Sequence, residues 1–261
     1  MEDGTDLRGV ADIGSGSCHS CTLSSLGDGV YCWGCNNRSQ LGRTTAQAAQ
    51  SAVAVLVPSS SAARLLAVGI EQAHFFGSDM ICGWGSNQGS PLSGAPTTTF
   101  AMPTCFSLAS VQQPFLGYGF GCARLASGAV QCWGLQIGSS TIMSPPGMAV
   151  PGIVATTLGG GEGHACARDV NANLRCWGAN SYGALGDGTT QDSTIPTTVI
   201  DAQGAPLANV LSGGIAISAS ALHSCAIRSD GSLYCWGWNN MGQIGNGLRD
   251  TNALSATAVR W

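Results

Sequence analysis

The sequence predicts an all-β protein, a β-propeller of about five four-stranded blades with disulfide-stapled hairpins. Three observations lead there. A Trp-Gly marker recurs at Trp33, Trp84, Trp133, Trp177 and Trp236, at intervals of 51, 49, 44 and 59 residues, which is the period of a propeller blade. Short apolar runs flank each marker and are broken by Gly, Asn and Asp turns, with no capped stretch of helical periodicity. Most of the 12 cysteines recur at fixed offsets from the marker. Read this way, residues 1–261 form one domain with repeats at about 7–57, 62–104, 106–150, 151–203 and 209–261.

The elements of one repeat follow in order. A small-residue strand ends in Gly, as in Leu66-Ala67-Val68-Gly69 and Thr156-Thr157-Leu158-Gly159. The second strand carries His19-Ser20-Cys21, His74-Phe75-Phe76, Phe120-Gly121-Cys122, His164-Ala165-Cys166 or His223-Ser224-Cys225. The third strand carries Trp-Gly, reached through tight hairpins such as Asp28-Gly29 and Asp230-Gly231, whose Gly supplies positive φ. A polar turn follows, clearest in Asn180–Gly188 and Asn239–Gly247, and a Thr/Val-rich strand such as Pro196–Ile200 closes the unit. Four strands repeated radially make a blade.

Composition narrows the function. Charged residues are 9% of the chain, against roughly 25% in an average domain, while 44% of residues are hydrophobic. The net charge is −4 and there is no Lys/Arg run, which argues against nucleic-acid binding. No uninterrupted apolar stretch is long enough to span a bilayer. An even, regularly spaced cysteine set points to disulfides and an extracellular or other oxidising compartment. The start, Met1-Glu2-Asp3-Gly4, has neither the charged nor the apolar segment of a signal peptide, so the sequence reads as a mature or excised domain.

The pattern His-x-Cys-Ala followed by Gly-x-x-x-Cys-Trp-Gly-x-Asn-x-x-Gly-x-x-Gly, sharpest at 164–199 and 223–247, resembles the regulator of chromosome condensation repeat family, in its Cys-paired, secreted-type variety. The resemblance covers nearly the whole chain, with the second repeat most degenerate. It implies a propeller. Function is implied only broadly, because the family spans exchange factors, enzyme inhibitors and binding proteins. Founding members have seven blades, so five repeats mean either a five-bladed ring or part of a larger one.

Cys122/Cys132, Cys166/Cys176 and Cys225/Cys235 lie ten residues apart and Cys21/Cys32 eleven, each pair bracketing a hairpin where opposed Cβ atoms come within disulfide reach. Cys18 and Cys35 share the antiparallel register of Cys21 and Cys32, so a second bridge is expected there. The rival is a zinc site, since Cys-x2-Cys…Cys-x2-Cys has ribbon form. Recurrence of the inner pair in three other repeats, where no four-ligand set exists, favours disulfides and no metal. Repeat two places Phe76 and Gly83 at the usual pair positions, and Cys82–Cys105 is paired by elimination.

No catalytic set emerges. His19, His74, His164 and His223 are read as one repeat position, hence structural. Glu162, Asp169, Asp187 and Asp192 form no carboxylate pair, no calcium loop is present, and Gly159–Gly163 lacks the Lys-Ser/Thr ending of a phosphate loop. The Trp of each marker is read as inter-blade packing. Asn37-Arg38-Ser39 is an N-glycosylation sequon. Trp238 breaks the repeat pattern and, with Asn239 and Tyr182, is a candidate partner-binding residue.

The leading expectation is a non-enzymatic, cofactor-free protein-interaction scaffold that uses the loop faces of a rigid propeller. The alternatives are a lectin-like propeller with one sugar site per blade and, less favoured, a small-GTPase exchange-factor-like regulator.

Overall fold

The structure, a computed structural model, describes residues 7–47, 49–88, 99–135, 142–216 and 222–260. Among these residues, five four-stranded sheets account for the regular structure. The first is β1 (Val10–Ser15), β2 (His19–Ser24), β3 (Val30–Cys35) and β4 (Gln50–Leu56). The second is β5 (Leu65–Val68), β6 (Gln72–Phe76), β7 (Met80–Ser86) and β8 (Thr99–Ser107), so it runs past position 104. The third comprises β9 (Val111–Leu116), β10 (Phe120–Leu125), β11 (Val130–Leu135) and β12 (Ile142–Ala149). The fourth comprises β13 (Ala155–Gly160), β14 (His164–Asp169), β15 (Leu174–Gly178) and β16 (Ser193–Thr198). The fifth is β17 (Val210–Ala216), β18 (His223–Arg228), β19 (Leu233–Gly237) and β20 (Ala253–Ala258). Each sheet is an antiparallel meander in sequence order.

The innermost strands pack in the order β1–β5–β9–β13–β17, and among the described residues no comparable packing joins β17 back to β1. The five blades therefore form an open arc. The core is distributed between blades. Leu23, Val30 and Leu41 of blade one meet Phe75 and Trp84 of blade two, and equivalent clusters fill the other three junctions. Each blade alternates its faces. In blades one, three and four the hairpin cysteines pack toward the following blade, and in blades two to five the marker Trp packs toward the preceding one, as Cys166 and Cys176 pack with Trp236 while Trp177 packs with Cys122 and Cys132; Cys82 of blade two instead packs beside Trp84. This alternation leaves the ends bare. Trp84, Trp133, Trp177 and Trp236 are buried, but Trp33, which packs on no neighbouring blade among the described residues, is only half-buried. Val10 and Ile13 on β1 are exposed for the same reason.

The Trp-Gly marker has a backbone cause. Gly34, Gly85 and Gly237 adopt φ of +102°, +97° and +103°, and a Cβ there would collide with the carbonyls of Cys18, Glu71 and Leu222 in their own blades. Only Gly fits both demands. The register also shifts across each marker, between Cys32/Gly34, Gly83/Gly85, Cys132/Gly134, Cys176/Gly178 and Cys235/Gly237. The Trp thus sits at a bulge in every blade.

That register corrects the second repeat. Gln72 pairs with Gly85 and His74 with Gly83, as His19 pairs with Gly34 and Cys21 with Cys32. Gln72 is therefore the equivalent of His19, His164 and His223, and His74 stands in the cysteine position opposite Gly83. Phe76 lies outside the pair, and the four histidines do not share one position. The sequence motif His-Phe-Phe mimicked the marker two residues late.

Candidate interaction face

Five bridges are formed: Cys21–Cys32, Cys82–Cys105, Cys122–Cys132, Cys166–Cys176 and Cys225–Cys235. Four span β2–β3-type hairpins, and Cys82–Cys105 joins β7 to β8 because His74 and Gly83 displace the usual pair. The sixth expected bridge is corrected: Cys18 and Cys35 are free thiols. They share the register of Cys21 and Cys32, yet the Cys35 N–H donates to the Cys18 carbonyl at 2.8 Å, so this is a hydrogen-bonded rung. Such rungs hold Cα atoms about 5.5 Å apart. The Cys21–Cys32 rung is closed to 4.1 Å.

At one end of the blades lie the β1–β2-type turns and the β3–β4-type loops. Backbone bonds line the turns up from blade to blade, with Ser17 N–H to Ile70 O at 3.0 Å and Tyr118 N–H to Glu162 O at 2.9 Å. A buried Asn builds the long loops of blades one, four and five. Asn180 Oδ1 accepts from Leu185 N–H at 2.9 Å, while its Nδ2 donates to the Thr189 and Gln191 carbonyls, each at 3.1 Å. Asn239 repeats this with Ile244 N–H and the Leu248 and Thr251 carbonyls. Asn36 does so with Leu41 N–H and the Arg43 carbonyl. Asn239 is fully buried, which corrects its assignment to partner binding: its amide is spent inside its own loop.

Tyr182 and Trp238 are different. They belong to the long loops of adjacent blades four and five, and their rings meet across the blade boundary at 5.8 Å and 55°. Tyr182 is exposed, Trp238 half-buried, and Met241 in the same loop as Trp238 is 83% exposed. Tyr118, which the sequence did not single out, is also exposed at this end and donates its hydroxyl to Gln88 Oε1 at 2.6 Å. It replaces an ordinary turn residue, so no pattern marks it. Asn37 is exposed on the same end and accepts from Gln40 Nε2 at 3.0 Å, whereas Ser39 of its sequon is buried. A further apolar cleft of about 370 Å³ opens on the outer side between blades three and four, lined by Met143, Met148, Val150, Trp177 and Ile195. Sequence reasoning missed it because its walls come from two different repeats.

The histidines are placed as framework. His164 Nε2 lies 2.7 Å from Ser224 Oγ, whose hydroxyl donates onward to the Ala184 carbonyl at 3.0 Å. The Ser224 proton is thereby committed, so His164 must be the donor to Ser224. Both residues are buried at the blade four–five junction, which removes them from any substrate. Burial pushes His164 and His19 down to about 4 and His74 to about 3. His74 stacks on Trp133 at 6.0 Å, and neither of its ring nitrogens has a hydrogen-bond partner among the described residues. The marker Trp residues of blades two to five, which a lectin would have to present to sugar, are buried as well.

Comparison with known proteins finds the same repeat in part of the chain. Residues 174–227 and 215–243 match the regulator of chromosome condensation (RCC1) repeat. The chain is similar to the ultraviolet-B receptor UVR8 of Arabidopsis thaliana, at 30% identity over 183 residues, covering 66% of this chain and 40% of that protein. Human WBSCR16 shares the fold with a TM-score of 0.76 at 20% identity, covering 97% of this chain and 67% of that one. Prp20p of Saccharomyces cerevisiae does so with the same TM-score and identity, covering 97% and 63%. The chain thus spans less than half the length of the curated relatives it matches and about two-thirds of these solved propellers.

Proposed function

From the premise that this chain is a propeller of regulator of chromosome condensation-type repeats, we propose that it is a non-enzymatic protein-interaction module working in an oxidising compartment, and that it grips its partner with the loop end of blades four and five. The observation that carries this is the Tyr182–Trp238 pair, two aromatic side chains held together by different blades beside the exposed Met241. Aromatic anchors on a rigid base lose little entropy on binding and dominate interface energetics. Prp20p, which shares this fold, binds Gsp1p and histones, and that supports a partner-binding role for the propeller. Five disulfides support the compartment. Glycosylation at Asn37 belongs to the same reading.

The test has two steps. A photo-crosslinking residue at position 182 is compared, in the native extract, with one at the exposed Leu26 on the opposite end. The partner captured only from position 182 is then titrated against Trp238→Ala. An affinity loss of about thirtyfold or more is expected, the scale of an interface hot spot of about 2 kcal/mol. Equal capture at both positions, or unchanged affinity, overturns the assignment.

A further inference from the structure

Cys18 and Cys35 stand apart from the other cysteines. Each of the five bridges has at least one buried cysteine, and Cys21, Cys32, Cys122, Cys132, Cys166 and Cys176 are all 0–2% exposed. Cys18 is exposed and Cys35 half-buried, and both are thiols. Cys18 precedes β2 and Cys35 ends β3, so both lie at the loop end of blade one, beside its boundary with blade two. The rung that joins them is formed on the backbone, with the Cys35 N–H bonded to the Cys18 carbonyl at 2.8 Å. Directly opposed residues at that spacing fall inside the Cα separations that disulfides bridge, so a bond between them needs little backbone movement.

The surroundings are polar. Gln40 Nε2 approaches Cys18 Sγ at 3.9 Å, and Arg38 and Glu71 pair at 3.9 Å across the blade one–two boundary. Partial burial, then the hydrogen bond and charge of the neighbouring Cys35 thiol, hold the Cys18 thiol above its ordinary value.

We infer that Cys18 and Cys35 form a reversible redox site, a cross-strand dithiol that exchanges with small disulfides such as oxidised glutathione while the five inter-strand bridges stay intact. One thiol, as thiolate, attacks the small disulfide, forming a mixed disulfide and releasing one thiolate of the reagent. The second protein thiol, on losing its proton, attacks the protein sulfur of that mixed disulfide and releases the other thiolate. The two cysteines are oxidised, the small disulfide is reduced to two thiols, and the two protons are taken up by those leaving groups. The new bond ties the turn at Ser17, which is anchored to Ile70 of blade two, to Asn36, which builds the first long loop. It therefore stiffens the loop end of blade one. This inference is independent of the partner proposed above.

The experiment uses the purified chain without denaturant. Iodoacetamide labelling and peptide mapping are expected to modify Cys18 and Cys35 and leave the ten bridged cysteines untouched. Across a series of oxidised-to-reduced glutathione ratios, both labels should disappear together with the loss of two hydrogens in mass, and both should return on reduction. Cys18→Ser should instead trap one glutathione on Cys35. Hydrogen exchange over 36–47 should slow on oxidation in the wild type and not in Cys18→Ser. The inference is overturned if stable glutathione adducts accumulate on the wild type, if both thiols stay alkylatable at every ratio, or if a Cys18–Cys35 bond resists reduction as long as the other five.

Discussion

Trp236 donates its indole N–H to the carbonyl of Ala184, in the long loop of the preceding blade, at 2.8 Å. Trp84 does the same to Gln40 at 2.8 Å, one junction from the other end of the arc. In blades two and five the marker Trp thus carries two duties, filling the junction with a large apolar ring and closing a buried polar bond that fixes one blade's loop to the next blade's strand, whereas Trp133 Nε1 has no partner among the described residues. Ala184 also receives the Ser224 hydroxyl, so a single carbonyl organises the blade four–five junction.

Trp236→Phe keeps most of the ring and deletes that donor. A loss of about 1–2 kcal/mol is expected by urea unfolding, and Trp236→Ala should cost about 3–5 kcal/mol. If the Phe variant is as stable as wild type, the bond to Ala184 is without energetic weight.

Asn180→Ala should free the loop it staples. The Leu185 N–H and the carbonyls of Thr189 and Gln191 would lose their buried partner. A destabilisation of about 1–3 kcal/mol is expected, with faster proteolysis inside 181–192. Intact cleavage resistance in the variant would show that the loop holds itself.

Stability should fall in mild acid. His19, His74 and His164 have folded-state values of about 4, 3 and 4, below the ordinary 6.5, because burial disfavours their charged forms. The unfolded chain therefore binds more protons between pH 6.5 and about 4, so stability is full above about 6.5 and declines as pH falls through that window. Each such histidine contributes a slope of roughly 1.4 kcal/mol per pH unit there. His74→Phe should remove one histidine's share of the slope, measured by urea unfolding at several pH values. An unchanged slope would contradict the burial of a neutral His74.

The equivalence of His74 and Gly83 with the cysteine pairs of other blades is testable directly. His74→Cys with Gly83→Cys should form a bridge, lowering the mass by two hydrogens and stabilising the chain by about 2–3 kcal/mol on the chain-entropy scale. Two free thiols in the oxidised variant would show that the assigned register of blade two is wrong.

What the sequence determined by itself was whatever repeats. A Trp at a bulge, a Gly needed at positive φ and a cysteine pair across a hairpin are demands made once per blade, so they print a period and four of the bridge pairings. Features made by two blades together carry no period, and only the tertiary structure decided them. Pairing across strands showed that Gln72, not His74, is the fellow of His164. At the Cys18–Cys35 rung the strands meet in equal register through a backbone hydrogen bond, yet the two thiols are free. Burial turned Asn239 inward and left Tyr182 and Trp238 together at the surface, although all three lie in similar polar turns. Packing of one blade on the next sealed Trp84, Trp133, Trp177 and Trp236 at the junctions, while Trp33, outside those junctions, is half-buried.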